Sequence, residues 1–338
     1  MASEKCVVVG AGGIAGAWLP ALAIEKVKVV GIVDIDITRA KSRIDEYKLN
    51  CEASTDLKAL LKRTRPDFVI DLTIPEAHCA VACTAMEMGC HVIGEKPMAS
   101  SMAEARKMVR TAEKTKKLFM VSQMRRWDHH HDVVRRTLEA KKIGHLTTVN
   151  CDFYSGAHFG GFRDEMPSPL ILDMAIHHFD LARFMTGADP VAVYAREFSP
   201  RGSWYKGDAS AMVTFEMTDG VVFSYRGSWC AEGGNSSWNG DWQFYGSKGM
   251  LAYEKDQPPR GTFIRKETAK SRDFADVPVV KTPLKHTLWH GALREMLAYI
   301  RTGKKPQCEC HDNIKSLAMV FSVIESSKKG KRVPVRVF

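Results

Sequence analysis

A short apolar run that ends in glycine constrains this chain more than any other feature. Residues 6–10 read Cys-Val-Val-Val-Gly, a pattern typical of a strand buried on both faces of a parallel sheet. The pattern G-x-G-x-x-A follows, with Gly10, Gly12 and Ala15 in its fixed positions. Gly10 permits a tight turn, Gly12 lets the backbone approach a pyrophosphate, and Ala15 lets the following helix pack on the strand. The residues expected to bind a dinucleotide here are Gly10, Gly12, Gly13 and Ile14.

A second apolar run ends in a carboxylate. Residues 28–34 read Lys-Val-Val-Gly-Ile-Val-Asp, and Asp34 stands where the dinucleotide fingerprint requires an acid for the ribose hydroxyls. The same carboxylate should repel a 2′-phosphate, so we expect NAD as the cofactor. Arg39, Lys41 and Arg43 follow closely and leave NADP open as an alternative. We include Arg39 among the expected cofactor-binding residues.

Further strand and helix signals alternate along the first third of the chain. Strands are predicted at 67–72, 91–94 and 119–121, and helices near 77–88 and 101–116. Such alternation predicts a doubly wound parallel sheet of the Rossmann type, which binds ligands beyond the carboxyl ends of its strands. The cofactor-binding residues expected at that edge are Thr73, Ile74, Pro75, His78, Glu95 and Lys96.

The hydrophobic period changes to two after Leu146. Strands are predicted at 148–154, 191–198, 211–217 and 221–229, with a hairpin turn at Thr218-Asp219-Gly220. These strands predict an α+β domain with a mainly antiparallel sheet. The fold class is therefore α/β in the N-terminal part and α+β in the C-terminal part, with expected domains at 1–122 and 123–338.

Composition excludes several functions. The net charge of +10 is dispersed, and its densest run, at 328–332, fits a solvated helix end, so no nucleic-acid partner is expected. No stretch approaches the roughly 20 apolar residues of a membrane span, and the N-terminal apolar run is too short for a signal peptide, so we expect no membrane partner. Nine cysteines without regular spacing indicate reduced thiols in the cytoplasm.

Two histidine or cysteine tracts suggest metal binding but lack the pattern it requires. Cys308-x-Cys310-His311 has no second ligand pair at the usual spacing. His129, His130 and His131 are adjacent, and adjacent residues do not share a helix face. We therefore expect no metal.

Glu95-Lys96-Pro97 follows a predicted strand and precedes a predicted helix. With the glycine turn, this tripeptide resembles the glucose-fructose oxidoreductase, inositol dehydrogenase and rhizopine-catabolism (Gfo/Idh/MocA) family, and the resemblance extends along the whole chain. Residues 124–128 resemble the start of that family's second domain, and 312–329 its closing helix. Residues 173–180 resemble its D-x-G-x-H-x-x-D catalytic helix, with Ala175 replacing glycine. The resemblance implies an open-faced sheet through which the protein forms a homodimer or homotetramer.

The resemblance also implies a catalytic set of Lys96, Asp173 and His177. Oxidation of an alcohol needs a group that takes the hydroxyl proton, and histidine, whose ordinary pKa is about 6.5, suits that role. Asp173 lies four residues before His177, so on an α-helix both share one face. Lys96 is expected near the nicotinamide, where its ammonium group polarises the reacting oxygen. Segments around 96 and 177 are thus expected to converge on the nicotinamide.

Aromatic and hydrogen-bonding side chains in the second half suit a sugar-like ring. The group that combines flat apolar surface with polar atoms comprises Arg163, Arg226, Trp229, Trp238, Asn239 and Trp242. Sheet packing is the alternative for any single tryptophan among them. The residues expected to bind substrate are Lys96, Arg126, Arg163, Asp173, His177 and Trp238.

The predicted function is a dehydrogenase that moves hydride between NAD(P) and a secondary hydroxyl of a sugar, cyclitol or glycoside. Two alternatives stay open. One is an enzyme that retains NAD and acts through transient oxidation, in glycoside cleavage or internal redox exchange. The other is a non-catalytic sensor of dinucleotide or sugar.

Overall fold

The computed structural model describes residues 3–268 and 271–338, which pack into two compact units. The first unit consists of the described residues up to Trp127, together with His286–Leu317 and Val337–Phe338. The second takes the described parts of Asp128–Lys285 and Ala318–Arg336. These units are discontinuous in sequence, whereas the predicted domains 1–122 and 123–338 are continuous. The division into domains at 1–122 and 123–338 stays a prediction.

The first unit alternates strands and helices. Its elements up to Trp127 are β1 (Lys5–Val9), α1 (Ala15–Ile24), β2 (Lys28–Val33), α2 (Ile37–Glu46), β3 (Glu52–Ser54), α3 (Leu57–Thr64), β4 (Phe68–Asp71), α4 (Pro75–Glu87), β5 (His91–Gly94), α5 (Met102–Thr115), β6 (Phe119–Val121) and a 3-10 helix at Met124–Trp127. The strands form a parallel sheet in the order β3-β2-β1-β4-β5-β6. This order is that of a Rossmann fold and confirms the predicted fold class.

Local chemistry explains where these helices begin. Asp36 accepts a hydrogen bond from the backbone N–H of Thr38 and caps α2, and Asp56 caps α3 in the same way. Proline occupies the first position of α4, where the missing N–H has no cost. The apolar strands β1 and β4 are almost fully buried, because helices cover both faces of the sheet.

The rest of the chain mixes helices with longer strands. Its elements are α6 (His129–Glu139), β7 (Leu146–Tyr154), α7 (Phe162–Glu165), a π-helix at Leu170–Ala175, α8 (Ile176–Thr186), β8 (Pro190–Phe198), β9 (Ser210–Met217), a 3-10 helix at Thr218–Gly220, β10 (Val222–Ser228), β11 (Asp241–Gly246), β12 (Gly249–Tyr253), β13 (Arg260–Glu267), β14 (Arg272–Asp276), α9 (Leu288–Thr302), α10 (Cys310–Lys329) and β15 (Val333–Pro334). Of the helices in the described residues, none combines the length and the apolar character that crossing a membrane requires.

The second sheet has the order β14-β13-β12-β11-β7-β10-β9-β8-β15. β7 and β10 run parallel, and the other described pairs are antiparallel, so the prediction of a mainly antiparallel sheet is confirmed. The four predicted strands correspond to β7, β8, β9 and β10. The remaining strands of this sheet were not predicted, because their charged and glycine-rich segments lack clear alternation.

One face of the second sheet is buried and the other is exposed. Phe179 of α8 packs edge-on against Phe215 and Tyr225, with ring centroids 5.0 and 5.3 Å apart, so α8 lies on the buried face. The opposite face presents large apolar side chains to solvent. These are Tyr194, Met212, Val222 and Tyr245.

Candidate functional site

The glycine turn between β1 and α1 has the shape that a pyrophosphate needs. Gly10 has a φ of +97°, and a Cβ added there would lie 2.7 Å from the carbonyl oxygen of Leu72. A Cβ added to Gly12 or Gly13 would meet nothing within 4 Å. The backbone is therefore open on the side where phosphates approach the start of α1. The turn fits a dinucleotide.

Asp34, at the end of β2, is tied to this turn. One carboxylate oxygen accepts a hydrogen bond of 2.7 Å from the backbone N–H of Ala11, and the other accepts one of 2.9 Å from Asp36. The side chain is mostly buried, so its position is fixed before any ligand binds. The lone pairs left on the two oxygens are suited to ribose hydroxyl donors.

Arg43 supports the same turn from α2. Its guanidinium donates to the carbonyl oxygens of Ala11 and Gly12, at 3.2 and 3.1 Å. Sequence reasoning considered Arg43 only as a charge that could accept a 2′-phosphate. Its backbone contacts were missed, because nothing in the spacing shows that α2 turns this residue toward the glycines.

A cavity of about 380 Å³ opens beside the turn, between the ends of β1, β2 and β4. Apolar side chains dominate its lining, with a few polar groups at the rim, as in most nucleotide sites. Six of the predicted cofactor residues line the cavity: Gly10, Gly12, Asp34, Arg39, Thr73 and Ile74. The lining residues that were not predicted are Val9, Val33, Ile35, Thr55, Leu57, Leu72, Ala77 and Val81.

We predict that Asp34→Ser shifts cofactor preference from NAD toward NADP. The substitution removes charge-assisted hydrogen bonds worth about 1.5–3 kcal/mol each, so the Kd for NAD should rise about 10- to 100-fold. It also removes the repulsion of a 2′-phosphate, so the Kd for NADP should rise less. Fluorescence titration with both reduced cofactors measures the ratio. Asp45→Ser, at an exposed position of α2, is the control. If Asp34→Ser left the ratio of the two Kd values unchanged, the assignment of Asp34 to the ribose hydroxyls would be wrong.

His78 lies in a buried network at the end of β4. Its Nδ1 is 3.0 Å from a carboxylate oxygen of Asp71, and the Thr73 hydroxyl donates to the other oxygen at 2.6 Å. His78 and Asp71 are almost completely buried. Three predicted cofactor residues thus differ in position. His78 is bound to Asp71 at the end of β4, whereas Thr73 and Ile74 line the cavity.

Glu95, at the end of β5, is held by two tryptophans. One of its oxygens accepts hydrogen bonds from the indole N–H groups of Trp18, at 2.8 Å, and Trp289, at 3.0 Å. Burial raises the pKa of Glu95, although the indoles and Lys96 oppose that shift. Glu95 was predicted to bind cofactor, and in the structure its carboxyl group joins α1 to α9. The contact with Trp289 spans 194 residues and has no sequence signal.

Lys96 follows directly and is partly buried, and its peptide bond to Pro97 is cis. Arg126, which was predicted to bind substrate, is buried in the first unit. It donates to the carbonyl oxygen of Gln307 at 2.7 Å and pairs with Asp312 at 2.8 Å. These bonds fix the segment after β6 to the start of α10.

In the second unit, the predicted catalytic helix begins as a π-helix. Asp173 lies in the π-helix Leu170–Ala175, and His177 is the second residue of α8. The sequence predicted one α-helix with both residues on one face. Because a π-turn contains more residues than an α-turn, the angle between the two side chains differs from that expectation. Short π-segments often occur at functional sites.

Arg163, on α7, pairs with Asp173. The guanidinium Nε donates to the carboxylate at 2.6 Å, and the guanidinium carbon lies 5.2 Å from the ring centre of Phe159 and 4.7 Å from that of Phe162. Both rings are exposed, as is Trp238, whose ring centre is 6.0 Å from that of Phe159. Three of the predicted substrate residues, Arg163, Asp173 and Trp238, therefore belong to one cluster. Arg163 contacts Asp173 and the ring of Phe159, and Phe159 contacts Trp238.

The other aromatic candidates pack in the core. Trp229 and Trp242 are buried, and Arg226 pairs with Asp152 on the sheet. The buried His178 ring lies against Phe153 and Tyr225, at 4.9 and 5.5 Å. Among the tryptophans of the described residues that were considered for substrate, only Trp238 is substantially exposed.

A buried carboxyl group lies beside the segment that leads into the π-helix. Glu197, on β8, hydrogen-bonds to Ser168. Burial raises the pKa of Glu197 to about 7, and Asp208 adds to this shift, while Ser168 and Lys328 oppose it.

Glu197 should make folding stability depend on pH. Because its folded pKa is above the unfolded value of 4.5, its stabilising contribution is complete below about pH 4.5 and is lost as the pH rises through 7. The loss should be on the order of 3 kcal/mol. Denaturant unfolding between pH 5 and 8 should therefore show a shallower decline for Glu197→Gln. Glu216→Gln, on the exposed face, should keep the wild-type slope, and an equal slope in Glu197→Gln would refute the prediction.

Comparison with known proteins gives the family. Residues 4–123 match the oxidoreductase family with an NAD-binding Rossmann fold (GFO_IDH_MocA), and residues 131–252 match the GFO/IDH/MocA C-terminal domain. The protein y4oX of Sinorhizobium fredii is 29% identical over 352 aligned positions, which cover 99% of this chain and 96% of that protein. Inositol 2-dehydrogenase of Salmonella typhimurium is 26% identical over 202 positions, 59% of each chain.

A solved structure shares the whole fold. An oxidoreductase from Agrobacterium radiobacter, crystallised with NAD⁺, L-tartaric acid and magnesium, is 23% identical with a TM-score of 0.84, and 99% of each chain is covered. The fold and the sequence matches define a two-domain oxidoreductase with an NAD-binding Rossmann fold. The chain belongs to the Gfo/Idh/MocA oxidoreductase family.

Proposed function

We propose that the protein is an NAD-dependent dehydrogenase that oxidises a secondary hydroxyl of a sugar, cyclitol or glycoside. The observation that carries the proposal lies in the second unit. There the side chains of Asp173 and Arg163 form an ion pair beside the exposed rings of Phe159 and Phe162. The helix α8, which contains His177, begins three residues after Asp173. Polar groups beside flat apolar surface suit a polyhydroxylated ring. The relative named inositol 2-dehydrogenase supports this substrate class.

Each catalytic residue has a proposed role. NAD, when bound, supplies the hydride acceptor. His177 takes the proton of the substrate hydroxyl, and Lys96 donates a hydrogen bond to the same oxygen as negative charge develops on it. Asp173 accepts a hydrogen bond from a neighbouring hydroxyl, and the hydrogen bond from Arg163 orients its carboxylate. Gly12, Gly13 and Asp34 hold the dinucleotide.

The test is a substrate screen with the full chain. Polyols, cyclitols, aldoses and glycosides are incubated with NAD or NADP, and the absorbance of reduced nicotinamide is followed. One class should yield NADH in proportion to ketone product. Product without net NADH would instead support the retained-NAD alternative, and cofactor binding without any product would support the sensor.

We also propose that the protein forms a homodimer or homotetramer in the cytoplasm. The exposed face of the second sheet supports self-association, because it carries four large apolar side chains, Tyr194, Met212, Val222 and Tyr245, that a monomer would leave in water. The odd number of cysteines supports a reducing compartment. We predict that Met212→Glu dissociates the oligomer in analytical ultracentrifugation. An unchanged mass would exclude this face.

A further inference from the structure

Three side chains that could ligate a metal meet in the first unit, away from the glycine turn. Glu25 ends α1, and His286 and His290 flank the start of α9. One ligand atom from each lies within 4.8 Å of the other two. The Nε2 atom of His290 is 2.5 Å from a carboxylate oxygen of Glu25, and the two imidazole ring centres are 4.5 Å apart.

We propose that Glu25, His286 and His290 form a binding site for a divalent transition-metal ion of the zinc class. Two imidazoles and one carboxylate are a donor set that zinc accepts, with a fourth position left for water. At bond lengths of about 2.0–2.1 Å, tetrahedral ligand atoms stand about 3.4 Å apart. The three donors therefore need to shift by only about 1 Å or less to enclose the ion. Imidazole donors disfavour magnesium and calcium.

The charges around the cluster support binding. His290 and Arg294 both lie within hydrogen-bonding distance of one carboxylate oxygen of Glu25, at 2.5 and 2.9 Å, so this oxygen already attracts cationic and N–H groups. Arg294 is the competing cation, because its guanidinium lies 2.9 Å from the same oxygen. Its side chain is 46% exposed, so it can turn into solvent when a metal replaces it.

Binding exchanges one set of bonds for another. The metal replaces the hydrogen bond between His290 and Glu25, so Nε2 of His290 gives up its proton to coordinate the ion, and the neutral ring carries its one N–H proton on Nδ1. The ion would then hold residues 265 positions apart in the chain. It would join the end of α1 to the start of α9, the two helices that Glu95 already bridges through Trp18 and Trp289.

The experiment measures metal binding by the full-length, tag-free protein. Zn²⁺ affinity is measured by calorimetry after treatment with a chelator, and Co²⁺ is added as a spectroscopic probe of tetrahedral coordination. Wild-type protein should bind one ion, show the intense visible bands of tetrahedral Co²⁺, and melt at a higher temperature with Zn²⁺. His286→Ala and His290→Ala should each weaken binding by more than the roughly 10- to 100-fold that loss of an outer-sphere partner costs.

Two further variants separate a metal site from a simple ion-pair cluster. Arg294→Gln should tighten Zn²⁺ binding, because it removes the competing cation. His311→Ala should leave it unchanged, although Glu309, Cys310 and His311 form a second cluster of potential ligands. Burial raises the pKa of the Cys310 thiol far above its ordinary value, which disfavours the thiolate that zinc needs. The proposal would be overturned if the His286→Ala and His290→Ala variants each bound Zn²⁺ as tightly as the wild type. It would also be overturned if the wild-type protein bound no Zn²⁺.

Discussion

Replacing His177 by alanine is expected to lower kcat about 10²- to 10⁴-fold and to leave the Kd for NAD unchanged. The imidazole is the proposed acceptor of the substrate proton, and it lies in the second unit, whereas the dinucleotide turn lies in the first. The substitution should therefore lower the catalytic rate without changing the affinity for the cofactor. Steady-state rates with the substrate found in the screen, together with NADH fluorescence titration, measure the two effects.

Chemical rescue distinguishes proton transfer from a structural role of His177. Added imidazole should restore part of the activity of His177→Ala, because it supplies the missing base, and the restored rate should rise with pH as imidazole loses its proton. His145→Ala, at an exposed position of the same unit, is the matched control and should behave as wild type. A His177→Ala enzyme with wild-type kcat would remove the acid–base assignment.

Lys96→Met should lower kcat about 10²- to 10³-fold. Methionine keeps most of the length of the side chain and removes the charge that would stabilise developing negative charge on the substrate oxygen. An interaction made mainly in the transition state lowers kcat and kcat/KM together, whereas one that only binds substrate raises KM. The kinetic constants of Lys96→Met therefore separate catalysis from binding.

The control for Lys96 is Lys62→Met, an exposed lysine on α3 of the same unit. It removes the same charge from the surface and should leave both constants unchanged. If Lys96→Met raised KM alone, Lys96 would be a substrate-binding residue and the proposed polarisation of the oxygen would be wrong.

The first half of the fold could be predicted because its signals are local. The apolar run before Gly10, the small residue at Ala15 and the acid at Asp34 are all read within 34 residues of the N-terminus. Parallel strands buried on both faces give continuous apolar runs, and glycine at a positive φ has few substitutes. The five predicted strands occupy the order β2-β1-β4-β5-β6 of a doubly wound sheet, whereas the short edge strand β3 was not predicted.

Contacts between distant segments could not be predicted. The indole of Trp289 reaches Glu95, and His290 reaches Glu25, only because the chain returns to the first unit at α9, after the long segment Asp128–Lys285 of the second unit. No periodicity marks such pairs. The π-helix before α8 was also missed, because an extra residue per turn leaves the apolar pattern of Leu170 to Ala175 almost unchanged.

The carboxyl group shared by Trp18 and Trp289 gives the protein an internal optical reporter. Indole emission depends on the hydrogen bond and the charge at the ring nitrogen, and both rings donate to the residue directly before Lys96. A ligand that changes the electrostatic field at positions 95 and 96 should therefore alter the intrinsic fluorescence of two of the seven tryptophans. Cofactor titrations can be followed without a label, and single Trp→Phe exchanges at 18 and 289 would assign the signal to each helix.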